Sequence, residues 1–532
     1  MVVEKDIETA HRSNIDVSEL TPFRASYPLY ITPFEEILAH QYRGEGTHDT
    51  PFIVEWLPND PENPQTWRKL YKWSLIVFVS LATLSVAFCS STYVGDFEGV
   101  MKEFGSSVEV TTLGISLFVL GFSLVTLNAG SAGSQNIWTL LILRFLAGAF
   151  GSSPLTNAAG TIADVFSARE RGLGIVVFAS APFLGPTLGP IIGNLIGQSI
   201  GWRWVQGIMA IFTGVIVFVG IFIYPETYTP VLIRQRASKL SKVTGFVYRS
   251  KFEEREQIRF GRLLRTSLSR PWIFLFREPI VLLLSIYMVI IYGILYMLFG
   301  AFPIVFNEER GWSPTIGGLA FIGIACGFII GMIYCVFENR RYSRLVDANA
   351  GQPVPPEQRL PPAIVGAFAL PIGLFLFAWT NYPSIHFTVP IAAGIPFGFG
   401  TNLVFLSLMN YLVDAYVIYA ASVLAANLVL RSLFGVIFPL FTTQMFHNLG
   451  IHWASAIPAC LALLCLPLPF VFWKYGVTIR SWSKYSCEAA AFMDRMSKSN
   501  QNKPNDETKR NPAMEIVVEK ADDLKSVSVI SL

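Results

Sequence analysis

The stretch 228–270, YTPVLIRQRASKLSKVTGFVYRSKFEEREQIRFGRLLRTSLSR, decides how the chain is read. It carries eleven basic residues, Arg234, Arg236, Lys239, Lys242, Arg249, Lys251, Arg255, Arg259, Arg262, Arg265 and Arg270, against three acids, Glu253, Glu254 and Glu256. Long apolar runs lie on either side of it. Lys and Arg near spanning segments stay on the cytoplasmic side of a bilayer, so this connector belongs in the cytoplasm once its flanks are shown to cross. A spanning helix needs about 20 mainly apolar residues. Runs that meet this are 73–94, 137–157, 173–196, 204–224, 279–302, 315–337, 363–380, 388–412, 420–445 and 453–473, and one more, 111–127, is apolar but short. Trp67, Trp73, Trp202, Trp204, Trp272, Trp312, Trp453 and Trp473 sit at the run ends, where an interfacial aromatic belt belongs.

Composition agrees. Of 532 residues, 52% are hydrophobic and only 14% charged, against roughly a quarter charged in soluble proteins. That excludes a cytosolic enzyme, and the apolar content excludes a disordered chain. The six cysteines, Cys89, Cys326, Cys335, Cys460, Cys465 and Cys487, form no disulfide framework, and no Cys/His cluster has zinc-ligand spacing. No metal and no cofactor is expected. The phosphate-cradling GxxxxGK[ST] string is missing, as are HExxH and GxSxG, so neither an ATP-driven pump domain nor an enzyme is indicated. The basic connector has few aromatics and adjoins the membrane, which suits anionic lipid and not nucleic acid. No cleaved signal peptide is expected, because the first 72 residues hold no apolar core of that kind.

The charges orient the chain. Arg68, Lys69 and Lys72 place the amino terminus inside; Asp96, Glu98, Glu103 and Glu109 against Lys102 place 95–110 outside. Arg340, Arg341 and Arg344 place the 338–362 loop inside, and Lys474, Arg480 and Lys484 do the same for the carboxyl tail. The expected organisation is a cytoplasmic polar tail over 1–72, a first helical bundle over 73–226, a basic cytoplasmic loop over 227–278, a six-helix bundle over 279–474 and a cytoplasmic tail over 475–532. Two six-span halves joined by a cytoplasmic loop is a carrier layout. The first half falls short of it. Both 95–110 and 128–136 must be outside, so the stretch between them has to leave and return on one side. At 1.5 Å per residue 111–127 is about 26 Å long, enough to cross once.

Few residues could carry chemistry inside hydrocarbon, where an Arg costs about 2.5–3.5 kcal/mol at a helix centre. Arg144 lies within RFLAGAFGSS, followed by Ala147, Gly148, Gly151, Ser152 and Ser153 at helical spacing. Its guanidinium either faces a central cavity, holding substrate or modulating a proton site, or is a structural group bonded to backbone carbonyls. Arg431, with Asn427 one turn earlier, either lines a cavity or pairs with a polar neighbour. Asn402 and Asn410 are donors toward a substrate or helix–helix glue. Tyr287, Tyr292, Tyr296 and Phe299 form a stripe that serves packing or flat apolar ligands. The run 173–196 contains GPTLGPIIGN, where Gly185, Pro186, Gly189, Pro190 and Gly193 invite a kink and close packing. Acids are missing from the span interiors: Asp96, Asp164, Glu226 and Asp414 all sit near ends, so no coupling carboxylate is identified.

RFLAGAFGSSPLTNAAGTIADVF, the turn SARERG and GPTLGPIIG together resemble the fungal major facilitator superfamily, in its twelve-span drug:proton antiporter group. WLPNDPENPQTW, PETY at 225–228, REPIV at 277–281, PEQRLPPA and LAANLVLRSLFG fit too, so the resemblance covers about 55–480. It implies an all-α polytopic membrane protein of two bundles around a cavity. Small hydrophobic molecules, whether xenobiotics, antifungals or the cell's own secondary metabolites, would leave in exchange for protons by alternating access. It implies a proton-relay role for Arg144 and an antiporter-motif role for Gly185, Pro186, Gly189, Pro190 and Gly193, with Asn194 where the motif usually ends in a second glycine. The expected partners are a lipophilic substrate, protons and membrane lipid, around a monomer in the plasma membrane, with a vacuolar or vesicle membrane as the alternative. Family members also carry a cytoplasmic loop between spans two and three that latches the bundles. Here SLFVLGFSL runs almost directly into VTLNAGSAGSQN, and on the order of 25–35 residues are missing by helix-length reckoning. A fused or re-entrant segment near 111–136 is therefore expected, in a genuine short form or through an error in the assembled transcript. A membrane receptor, scaffold or inactive shortened carrier is the alternative function.

Placement of the basic connector is open to direct test. A Ser238→Cys chain in intact cells should resist a membrane-impermeant maleimide, above the background of the native cysteines, and react after permeabilisation. Labelling in intact cells would reverse the topology.

Overall fold

The computed structural model describes residues 32–121, 131–166, 168–252, 260–349 and 354–491. A short helix α1 (Phe34–Ala39) and a strand β1 (Phe52–Val54) come first, then α2 (Lys69–Thr92), α3 (Phe97–Phe104), α4 (Val108–Gly121), α5 (Ile137–Val165), α6 (Ala168–Ile200) and α7 (Trp202–Ile223). The connector holds α8 (Thr229–Thr244), β2 (Tyr248–Ser250) and α9 (Phe260–Arg277). The second half consists of α10 (Pro279–Phe302), α11 (Pro314–Gly318), α12 (Ile322–Ala348), α13 (Pro361–Thr380), α14 (Thr388–Ala415), α15 (Ala420–Cys465) and α16 (Pro467–Ser481). Among the described residues, eight helical stretches are long and apolar enough to cross a membrane, and Val108–Phe118 and Ile137–Gly148 are shorter apolar helices. Within α15 two helices, one on either side of Gly450, meet at a break in the helical backbone between the runs expected at 420–445 and 453–473; the φ of 75° and ψ of 160° at Gly450 suit a residue without a β-carbon. The expected fused segment lies partly outside the described residues, since 122–130 are not among them.

Why the helices pack so closely is visible in GPTLGPIIG. A β-carbon at Gly185 would lie 2.7 Å from the Ala87 side chain, one at Gly189 would strike Ser91 Oγ, and one at Gly193 the Thr92 carbonyl. The glycine row of α6 is thus the surface on which α2 rests, with backbone against backbone. Pro182, Pro186 and Pro190 all lie inside α6. The second half uses the same device: a β-carbon at Gly400 of α14 would lie 2.6 Å from the Gly366 carbonyl of α13. In hydrocarbon no hydrophobic force drives helices together, so such small-residue contacts carry the association.

The halves meet along α6 against α12 and α4 against α15. Ser116 Oγ donates to the Val436 carbonyl at 3.1 Å. At one end of α6, Gly172 abuts the Asn339 side chain; at the other, a β-carbon on Gly318 would lie 2.7 Å from Asn194 Nδ2 and 2.9 Å from the Pro190 carbonyl.

Residues 32–68 depart from the polar tail expected of them. β1 pairs in parallel with β2, Phe52 opposite Tyr248, Ile53 opposite Arg249 and Val54 opposite Ser250. Ile37, Val54, Ile233, Ala237 and Leu240 form a small core under this pair. The apolar positions 233, 237 and 240 recur at helical spacing, and Arg236 shares their face. Arg236 is not a lipid-facing charge. Its guanidinium donates to Asp60 at 2.6 and 3.1 Å and to Glu62 at 2.7 Å, under the Trp56 ring at 5.0 Å. Trp67 Nε1 donates to the Pro61 carbonyl at 3.1 Å and Lys72 Nζ to the Gln65 carbonyl at 2.6 Å, tying this unit to α2. Burial alone would raise the Asp60 carboxyl. Hydrogen bonds from Arg236 and Thr32, with the guanidinium charge and the Glu62 amide, outweigh it and hold the group below 3.8.

A depressed carboxyl contributes stability that is present above its unfolded value and lost as pH falls through the folded one. The N-terminal clasp should therefore hold at neutral pH and loosen only in acid. Asp60→Asn should weaken it by about 3–5 kcal/mol, the cost of orphaning one partner of a buried pair. Limited proteolysis of the purified chain, read as cleavage between 40 and 60, would show faster cutting at pH 7; unchanged cutting would show that the pair holds nothing.

Candidate functional site

Arg144 is eight positions into IWTLLILR, the first two turns of α5, where Asn136 Oδ1 caps the helix by accepting from Thr139 N at 2.7 Å. The side chain is fully buried. Nε donates to the Gly114 carbonyl of α4 at 2.8 Å, Nη1 to Gln206 Oε1 of α7 at 3.2 Å and Nη2 to the Ser90 carbonyl of α2 at 3.3 Å. The Tyr93 and Phe118 rings lie 4.3 and 4.6 Å from the guanidinium carbon. Backbone carbonyls supply two of the three acceptors. Among the described residues the charge has no carboxylate partner.

Ser90 extends the contact to the second half. Its hydroxyl donates to the Ala87 carbonyl at 2.6 Å, which leaves its oxygen to accept from Tyr296 OH at 2.9 Å. Tyr292 OH in turn donates to Tyr296 OH at 3.3 Å. The Tyr292 ring lies 4.8 Å from the guanidinium carbon of Arg431, and the Phe405 ring 5.3 Å from it. Phe183 of α6 packs on Phe405 at 4.7 Å and on Phe328 at 5.4 Å between ring centres. A hydroxyl chain and an aromatic wall, each drawn from both halves, thus run between two buried guanidiniums.

The other expected residues divide. Asn427 lies one turn before Arg431, its amide 3.8 Å from Met288 Sδ. Asn402 is buried and donates to the Phe328 carbonyl at 3.1 Å, and among the described residues its Oδ1 has no hydrogen bond. Asn410 stands apart, lining a cavity of about 40 Å³ with Gly172, Asn339, Arg359 and Ser407. Gly185, Gly189 and Gly193 serve the α2–α6 contact. Sequence reading missed Ser90, Gln206 and Phe183. CSST at 89–92 and Gln206 are polar groups within apolar runs and could have been found; nothing distinguishes Phe183 from the other phenylalanines.

A family model described as the Major Facilitator Superfamily matches residues 73–439. The chain belongs to the Major Facilitator Superfamily. It is 54% identical over 499 residues to the MFS-type efflux pump MFS2 of Trichophyton rubrum, covering 89% of this chain and 83% of that one. It is 52% identical over 522 residues to the major facilitator superfamily multidrug transporter mdrA of Aspergillus fumigatus, covering 93% and 86%. The efflux pump FUB11 of Gibberella moniliformis is 48% identical over 488 residues, covering 87% and 82%. The fold is similar to that of the proton:xylose symporter XylE bound to 6-bromo-6-deoxy-D-glucose, with a TM-score of 0.52 at 14% identity over 77% of this chain and 96% of that one. The family and the all-helical fold expected from the motifs are those found. This Major Facilitator Superfamily chain is a multi-pass membrane transporter of the efflux-pump kind and not an enzyme.

Arg144→Lys keeps the charge but cannot reach three separated acceptors with one ammonium, and should cut transport at least about ten-fold. Tyr296→Phe removes one hydrogen bond between the halves and should lower stability by about 1 kcal/mol. Substrate flux in vesicles and melting in detergent would check the two; a lysine chain with full flux would show that the carbonyl contacts are dispensable.

Proposed function

We propose that the chain exports small, largely apolar molecules from the cytoplasm in exchange for protons, by alternating access between its two helical bundles. The observation that carries this reading is the joint made mid-membrane by both halves: Arg144 to Ser90, Ser90 to Tyr296, Tyr296 to Tyr292, and Tyr292 over Arg431. A site shared between bundles changes when they rock. Phe183 and Phe405 give it an apolar wall, and Asn427 and Asn402 offer polar contacts near it. The relatives' names as efflux pumps and a multidrug transporter support the direction of transport.

Hydroxyls of Tyr292, Tyr296 and Ser90 form the proton-conducting part in this reading, with Arg144 as its fixed positive neighbour and Asn410 at the cytoplasmic mouth. The membrane is the plasma membrane, with both termini cytoplasmic, in keeping with the basic connector and with Lys69, Arg171, Arg359 and Arg480 at one end of the bundles. The described flanks of the stretch 111–136 both lie on the external side in this reading. In support, Arg203 pairs with Glu103 and also donates to the Ala132 carbonyl at 2.8 Å, which puts both flanks of that stretch at one end.

Inside-out vesicles with an acid interior should take up a neutral lipophilic dye through the protein, and collapsing the gradient should abolish uptake. Dye binding without gradient-driven uptake would favour a receptor or an inactive shortened carrier.

A further inference from the structure

The charges at the centre of the membrane are unbalanced. Arg144 and Arg431 are buried, whereas the apolar runs between 73 and 95, 137 and 163, 279 and 307, and 388 and 413 contain no Asp or Glu, and neither does 420–473. Arg144 is served by two carbonyls and an amide oxygen. Arg431 differs: it is only 7% exposed, and among the described residues its guanidinium makes ring contacts but no hydrogen bond. Rings attract the face of a guanidinium and leave its in-plane N–H donors unmet. A buried cation without acceptors or counter-charge is costly, so this is a place shaped for a group not supplied by the chain. Asn427, on the same helix face, adds an amide donor whose acceptor is a thioether sulfur at 3.8 Å. Among the described residues Arg431 has no acceptor, and Asn427 has only this weak one. The surroundings are the aromatic rings of Tyr292, Phe405, Phe183 and Phe328.

We propose that Arg431 anchors the acidic head of a flat, apolar organic acid that is carried as its anion, a deepening of the export reading above. A carboxylate accepts two parallel hydrogen bonds from the guanidinium edge, Asn427 supplies a further donor, and the apolar body lies against Phe405 and Phe183. A lipophilic cation would meet two like charges with no acid to offset them. The preferred substrate is thus an aromatic weak acid.

Three isosteric probes separate this from export in general: 2-naphthoate, neutral 2-naphthamide and 2-naphthylmethylammonium, offered to inside-out vesicles bearing the full chain. Naphthoate should be taken up in preference to the other two. Arg431→Gln should lower naphthoate uptake by about ten- to a hundred-fold, the value of a charge-assisted pair, and lower naphthamide uptake far less, so that the preference between the two probes collapses, and Arg431→Lys should restore part of it. Should Arg431→Gln fail to fold, competition in the unsubstituted chain decides: naphthoate should inhibit dye uptake at far lower concentration than naphthamide. Equal inhibition by the two, undiminished naphthoate uptake by Arg431→Gln, or preference for the ammonium probe would overturn the anion assignment and leave export intact. Failure of every probe and of the neutral dye would instead sink export itself, and the anion assignment with it.

Discussion

A guanidinium held in hydrocarbon depth cannot borrow water, so its position must be stabilised by whatever acceptors the surrounding helices can spare. Arg144 obtains them from three different helices, α2, α4 and α7, two of them as backbone carbonyls. That requirement fixes how the first half is assembled. The carbonyl of Gly114 is reachable only because α4 runs beside α5. Tyr93 belongs to the turn just past α2, and its ring flanks the guanidinium while pressing on Gly114, where a β-carbon would lie 2.5 Å from the ring. One charge thereby orders a bundle whose apolar side chains alone would pack many ways.

The second half solves a different problem. Among the described residues Arg431 receives rings and no acceptors, whereas Arg144 is fully engaged. The difference lies in the neighbours: Ser90 and Gly114 are small enough to expose their carbonyls to a side chain, whereas Tyr292 and Phe405 cover the corresponding space around Arg431 with aromatic surface. Tyr296 links the two environments, since its hydroxyl accepts from Tyr292 and donates to Ser90.

The family and the all-helical fold were legible because each rests on residue type summed over a long window. Run 279–302 coincides with α10, and GPTLGPIIG announced the contact that Gly185, Gly189 and Gly193 make. What was hidden depends on single contacts between distant residues. Nothing local in Asp60 or Glu62 points to Arg236, and a three-residue strand such as FIV at 52–54 carries no periodic signal before its partner YRS at 248–250 is known. The Ser90–Tyr296 bond likewise joins positions in different bundles, which only the assembled fold brings within reach.

The tight seam between α2 and α6 has a mechanical consequence. Glycine contacts with no intervening side chain leave little room for sliding, so α2 and α6 move as one body. That body touches the second half at both ends of α6, through Gly172 against Asn339 and through Asn194 against Gly318. If the bundles rock as proposed, one of these contacts opens while the other serves as fulcrum. Asn194, standing where glycine would be usual, donates to the Pro190 carbonyl at 2.8 Å and fills the space before Gly318. A glycine there would leave a gap at one end of the lever, whereas the asparagine makes that end the firmer contact. The Ser90–Tyr296 bond lies between the two ends and joins the halves there.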